Sequence, residues 1–158
     1  MKSSSIGKGF GRVNLLGEHL DYNGGCVLPL QIDKSVTIKI EHKSDIEGIL
    51  IKSRNYKEEI SITNYSEKLN NWADFIIGSC DYFKKFYKTD IYNISVNIES
   101  NLPIGIGLSS SAATCVSMIR ALSNYFEISL DQSTMVKIAH CIENDFVGVG
   151  GGVMDQFV

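Results

Sequence analysis

The chain has 158 residues, 44% hydrophobic and 21% charged, with a formal net charge of −3. That length fits one domain with a real core, and that charge gives no basis for nucleic acid or an anionic membrane as partner. No apolar run approaches the roughly 18 residues a membrane-spanning helix needs, and Met1-Lys2-Ser3-Ser4-Ser5 leads into no signal-peptide core; the cysteines, scattered and read as reduced thiols, make a cytoplasmic protein the expectation.

In chain order, residues 6–16 read as an extended strand interrupted by Gly7, Gly9 and Gly11. Residues 17–25 are a polar turn closed by Asn23-Gly24-Gly25, and residues 26–30 form a short apolar strand ending at Pro29. Val36, Ile38 and Ile40 alternate with Thr37, Lys39 and Glu41, the period of a half-buried strand. Residues 48–54 and 59–63 give two more strands around a polar turn at Asn55. The period then changes: Trp72, Phe75, Ile76, Cys80, Phe83 and Tyr87 predict an amphipathic helix over 71–87. Tyr92, Ile94, Val96 and Ile98 return to alternation. Cys115, Ile119, Leu122 and Phe126 mark a second helix, and a third starts near Asp131 as N-cap and buries Met135, Ile138, Ala139, Ile142 and Phe146. Strands followed by packed helices indicate an α+β domain, a mostly antiparallel sheet with helices on one face. Cys26, Cys80, Cys115 and Cys141 are scattered, which favours reduced thiols over disulfides or zinc.

The stretch Leu102-Pro103-Ile104-Gly105-Ile106-Gly107-Leu108-Ser109-Ser110-Ser111-Ala112-Ala113 runs from a glycine-rich loop into a helix start. Gly105 and Gly107 let an anion approach the backbone, and the helix start offers unpaired N–H donors at the positive end of its dipole. The three hydroxyls add donors to phosphate, or an oxygen ligand for Mg²⁺. Plain capping is the competing explanation, and neither the Walker A pattern nor Gly-x-Gly-x-x-Gly is present. Near the N-terminus, Glu18, His19 and Asp21 crowd polar groups suited to several vicinal hydroxyls, against a solvated turn or a metal as alternatives. Arg12, a charge in an apolar, glycine-rich strand, needs a partner. Near the C-terminus, Asp155 follows Gly150-Gly151-Gly152 and could close on a small ligand or merely favour a helix dipole. Glu143 shares a helix with His140 and by default is solvated.

Together these stretches resemble the galactokinases of the GHMP small-molecule kinase superfamily. Gly11 to Tyr22 resembles the galactokinase signature. Pro103 to Ala113 resembles the phosphate-binding motif Pro-x3-Gly-Leu-Ser-Ser-Ser-Ala, and Gly152-Val153-Met154-Asp155-Gln156-Phe157 resembles the segment bearing the catalytic aspartate. The resemblance implies the GHMP N-terminal domain fold over 1–158, incomplete without a C-terminal domain. It implies ATP-dependent phosphorylation of galactose at the C1 hydroxyl, with ATP and Mg²⁺ required. By the same resemblance Asp155 is the catalytic aspartate and Arg12 its partner, and Glu18, His19, Asp21 and Gly152 hold the sugar. Gly105, Gly107, Leu108, Ser109, Ser110, Ser111 and Ala112 cradle the ATP phosphates. Ser111 and Glu143 ligate Mg²⁺, and Trp72 lies near the adenine or packs in the core.

Leu20 replaces the usual galactokinase threonine, as in N-acetylgalactosamine kinases, whereas Asn23 fits the galactokinases. The rivals are therefore a kinase acting on another sugar and a non-catalytic sugar sensor. A truncated piece of a longer, monomeric protein is expected, weakly active or inactive alone.

Overall fold

The computed structural model describes residues 1–103 and 105–158; Ile104 of the glycine-rich stretch lies outside them. Two long strands, β1 (Ser4–Leu16) and β2 (Leu28–His42), are followed by the hairpin β3 (Ile49–Ser53) and β4 (Glu58–Ile62). Next come helix α1 (Asp74–Tyr87), strand β5 (Ile94–Ser100), and helices α2 (Ser110–Phe126) and α3 (Gln132–Cys141). A π-helical turn (Ile142–Val147) and the short helix α4 (Met154–Phe157) complete the chain. The sheet runs β1-β2-β5-β3-β4, antiparallel except for the β3–β5 pair. This is the expected α+β arrangement.

The period-2 pattern is realised as one buried and one wet sheet face. Val36, Ile38, Ile40, Ile49, Ile51, Ile94, Val96 and Ile98 are buried under the helices, while Lys39, Lys52 and Glu99 face water. Helix α2 is wrapped on several sides. Met118, Leu122 and Tyr125 enter the main core beside Phe83 and Ile77, and Cys115, Val116 and Ile119 pack on Met135, Ile138 and Ile142.

Three expectations are corrected. Gly7, Gly9 and Gly11 do not break β1; they are its buried face. A Cβ on Gly9 would lie 2.9 Å from the Ala113 carbonyl carbon, and one on Gly7 3.1 Å from Ala121 Cα, so α2 rests directly on the strand backbone. Ser117 Oγ donates to the Gly7 and Val36 carbonyls at 3.0 Å, and Ser5 Oγ to the Ala121 carbonyl at 2.7 Å. Secondly, residues 28–42 form one strand rather than two. Pro29 opposes Asn14, and β5 pairs only from Val36 onward, so the missing N–H of Pro29 disrupts no ladder on that side. Thirdly, Trp72 precedes α1 instead of joining its apolar stripe, and Tyr92 is exposed.

The predicted cap at Asp131 is present. Its carboxylate accepts from the Ser133 hydroxyl (2.6 Å), the Thr134 N–H (2.9 Å) and the Thr134 hydroxyl (2.7 Å). The Ser133 bond first, then the Thr134 bonds, hold its pKa well below the usual carboxylate range. The cap's contribution is whole above the unfolded value and is lost as pH falls through the lower native one. Asp131→Ala should therefore lower the urea midpoint at pH 7, and by a smaller amount at pH 3.

Candidate active site

Arg12 sits where β1 leaves its ladder. Phe10 opposes Ser35 but Arg12 opposes Gln31, a bulge that turns the Arg12 backbone toward the glycine-rich loop. Its N–H reaches the Leu108 carbonyl at 3.3 Å, and its Nη1 donates to the Gly107 carbonyl at 2.7 Å. The other edge of the guanidinium grips Asp155 bidentately, Nε to Oδ1 at 2.7 Å and Nη2 to Oδ2 at 2.9 Å. The two side chains retain 15% and 26% of their exposure, so the pair is partly desolvated and strongly oriented. Arg12 has found the partner its position demanded.

The loop between β5 and α2 holds Gly105 and Gly107 at φ of 75° and 73°, and Ser109 at 59°. Ser109 is the N-cap of α2, yet its hydroxyl makes no cap bond and donates to Asp155 Oδ2 at 2.5 Å. The first helical bond joins the Ala113 N–H to the Ser109 carbonyl at 3.0 Å, so the N–H groups of Ser110, Ser111 and Ala112 precede it. Of the three predicted hydroxyls, that of Ser109 is thus occupied, while Ser110 and Ser111 line the cavities beside the helix start. The Ala112 side chain is buried in the core, so that residue faces the loop through its backbone.

The two chain ends meet here. A cavity of about 180 Å³ is lined by Arg12, Glu18, His19, Asp21, Ser111, Glu143, Gly152 and Asp155, among others. Glu18 Oε2 accepts from Asn14 Nδ2 at 2.9 Å, and His19 Nδ1 lies 2.5 Å from the Tyr22 hydroxyl. Gly152 packs flat against Asp21; a Cβ there would strike the Asp21 carboxylate. Glu143 is not solvated but buried, because the π-turn carries it inward. The N–H groups of Gly148 and Val149 close that turn on its carbonyl at 2.8 and 2.9 Å. Burial pushes the Glu143 carboxyl up; hydrogen bonds from Ser111 and Gln156 oppose this, and the Asp155 charge adds to it.

A second cavity of about 320 Å³, mostly apolar, lies on the other side of the α2 N-terminus, lined by Tyr56, Trp72, Phe75, Leu102, Ser110 and Thr114, among others. Trp72 stacks on Tyr56 (ring centroids 5.1 Å apart, 11° between planes) and donates its indole N–H to Glu58 at 2.9 Å. Ser111 borders both cavities.

No group of three His, Cys, Asp or Glu side chains suited to a metal occurs among the described residues. Magnesium, however, commonly takes one or two carboxylates and fills its shell with phosphate and water oxygens. The Ser111 hydroxyl beside the Glu143 carboxylate is a hard-oxygen set of that kind, and both line the first cavity. The donor set fits.

Four contributors escaped the sequence reading. Asn144 Oδ1 accepts from the Gly151 N–H at 2.8 Å, tying the Gly150–Gly152 loop to the π-turn. Gln156 binds Glu143, Tyr22 braces His19, and Tyr56 carries Trp72. Gln156 and Tyr22 stand inside the quoted motifs but were given no role there, Tyr56 is an aromatic residue inside an otherwise polar turn, and Asn144 carried no signal.

The pattern of the GHMP kinases N terminal domain matches residues 74–158, more than half of the chain. The chain belongs to the GHMP kinase family. The galactokinase galactose-binding signature of that family matches residues 9–42, the segment bearing Arg12, Glu18, His19 and Asp21. A galactokinase of Thermosipho africanus is 45% identical over 148 residues, 93% of this chain and 40% of the relative. A galactokinase of Clostridium beijerinckii is 38% identical over 93% of this chain and 39% of its own length. The chain therefore spans about 40% of the length of these curated relatives. Among solved GHMP kinases, Lactococcus lactis galactokinase complexed with galactose superposes at a TM-score of 0.88, with 28% identity over 99% of this chain and 41% of that one. Methanococcus jannaschii mevalonate kinase, 22% identical over 98% of this chain and 50% of its own, shares the fold at a TM-score of 0.87.

Proposed function

We propose that this chain is the sugar- and phosphate-binding part of a galactokinase, which transfers the γ-phosphoryl group of ATP to the C1 hydroxyl of galactose. The products are α-D-galactose 1-phosphate and ADP. The contact between Arg12 and Asp155, bridging a galactose-binding signature and a phosphate-type helix start, carries this reading. Residues 1–158 are then the GHMP N-terminal domain, and a C-terminal domain completes the nucleotide and sugar pockets.

Phosphoryl transfer asks mainly for positioning and charge stabilisation. Glu18, His19, Asp21 and the Gly152 backbone hold the sugar hydroxyls, setting the C1 oxygen beside Asp155. That oxygen attacks the γ-phosphorus, the bond to the β–γ bridging oxygen breaks, and the hydroxyl proton leaves toward Asp155, which accepts or orients it. Arg12 keeps the Asp155 carboxylate aimed and places positive charge beside the transferring group. The α2 start, with Gly105, Gly107, Leu108 and Ser109 to Ala112, receives the ATP phosphates, and the Tyr56–Trp72 cavity receives the base. Mg²⁺ at Ser111 and Glu143 neutralises phosphate charge when bound.

The test is ADP release by the full-length protein with galactose and N-acetylgalactosamine in parallel. Galactose should be turned over at least ten times faster in kcat/KM, and equal or inverted rates refute the choice of sugar. Asp21→Ala should raise the KM for galactose roughly 10–100-fold, the loss of a charged hydrogen bond to a hydroxyl. An unchanged KM would remove Asp21 from the sugar site.

A further inference from the structure

Gln156 follows Asp155 directly, and the transfer chemistry above leaves it without work. It is 6% exposed. Its Nε2 donates to Glu143 Oε2, while its Oε1 is buried with no hydrogen-bond partner among the described residues. Gln156 lines the same polar cavity as Ser111, Glu143 and Asp155. The side chain touches Glu143, one of the two oxygen ligands that fit a divalent cation.

We propose that Gln156 is a positioning residue for the divalent cation. Its amide N–H pins Glu143 Oε2, which leaves Glu143 Oε1 and the Ser111 hydroxyl to the cation. Metal ligands are commonly oriented by such partners, and the choice of an amide follows from charge. A carboxylate at this position would add a third negative group beside Glu143 and Asp155 and could not donate to Glu143. The arrangement also explains why a helix as short as α4 is built in. On successive residues it presents Asp155 to Arg12 and Ser109, and Gln156 to Glu143, so one rigid turn sets the aspartate and the cation together. The inference rests on the kinase reading above but is measured without turnover.

Mn²⁺ is the probe, followed by the electron paramagnetic resonance of the free ion during titration of the full-length protein with ADP present. Gln156→Met keeps length and apolar bulk but removes both hydrogen-bonding atoms. It should weaken Mn²⁺ binding roughly tenfold or more, with galactose affinity measured calorimetrically without metal held within twofold. Glu143→Gln should also weaken Mn²⁺ binding, and adding Gln156→Met to it should cost little more, since the amide acts through that carboxylate. Mn²⁺ affinity within twofold of the parent overturns the proposal. So does full additivity of the two losses, or a Gln156→Met protein that loses galactose and metal together with its melting transition. Failure to phosphorylate galactose would sink the kinase reading and leave the Mn²⁺ titration intact.

Discussion

Asp155→Asn in the full-length protein is expected to lower kcat for galactose phosphorylation roughly 10³-fold, with galactose affinity changed far less. The size follows from the donors that converge on this carboxylate. Oδ1 accepts from Arg12 Nε, and Oδ2 from Arg12 Nη2 and the Ser109 hydroxyl. An amide has one acceptor oxygen, so its NH₂ must face a guanidinium N–H or a hydroxyl already committed as donor. The substitution therefore removes a negative charge and sets donor against donor, misaiming whatever group remains. Arg12→Met should cost a comparable factor, because it frees Asp155 and abandons the Gly107 carbonyl together. Arg12→Lys should rescue little, since an ammonium cannot fork across two oxygens and the loop carbonyl. If the pair acts as one unit, the double variant falls about as far as the worse single one. Rapid-quench measurement of galactose 1-phosphate separates the chemical step from product release. An Asp155→Asn enzyme with transfer intact would remove Asp155 from the catalytic machinery.

The strands and helices were legible wherever one period dominated, in the alternations of β2 and β5 and the stripe of α1, and where a turn or cap marked an end, at Asn55 between β3 and β4 and at Asp131 before α3. Errors arose where tertiary packing overrides local propensity. Glycines at every second position look like interruptions, yet in β1 their alternation is itself the signal of a face pressed against another backbone. Pro29 reads as a stop only if both sides of its strand are paired, and one side is open. The π-turn that buries Glu143 adds one residue to a helical turn, which no 3.6-residue pattern reveals. At the site, the motifs picked out Arg12, Ser109 and Asp155, and the fold supplied the meeting of those three positions. What stayed hidden were bracing contacts such as Asn144 to Gly151, made by polar side chains of unremarkable spacing. The diversion of Ser109 from its helix to Asp155 was equally invisible, since a serine at an N-cap ordinarily bonds its own helix.

Gly9→Val is expected to be the most damaging change outside the site, destabilising the protein by roughly 3 kcal/mol or more. The new branches would drive into the Ala113 carbonyl, and helix α2 cannot retreat freely. Ser117 and Ser5 bind it to the sheet at 2.7–3.0 Å, while Arg120 and Asn124 hold the Lys8 and Ile6 carbonyls at 2.6 and 2.9 Å. Gly7→Val should behave alike, against Ser117 and Ala121. Gly151→Ala is the control: a Cβ there meets nothing within 4 Å and its φ is not positive, so its denaturant midpoint should stay within about 0.5 kcal/mol of the parent. Equal midpoints for Gly9→Val and Gly151→Ala would refute the close contact. The milder Gly9→Ala is the more informative variant, because Gly9 lies between the machinery on β1 and that on α2. Ala113 is one turn into the helix that begins beside Ser109, and Arg12 is three residues along the strand. Forcing strand and helix apart here should lengthen the Arg12–Asp155–Ser109 contacts before the fold fails. Gly9→Ala should then lose kcat by more than its stability loss explains, measured well below its melting transition with the protein fully folded.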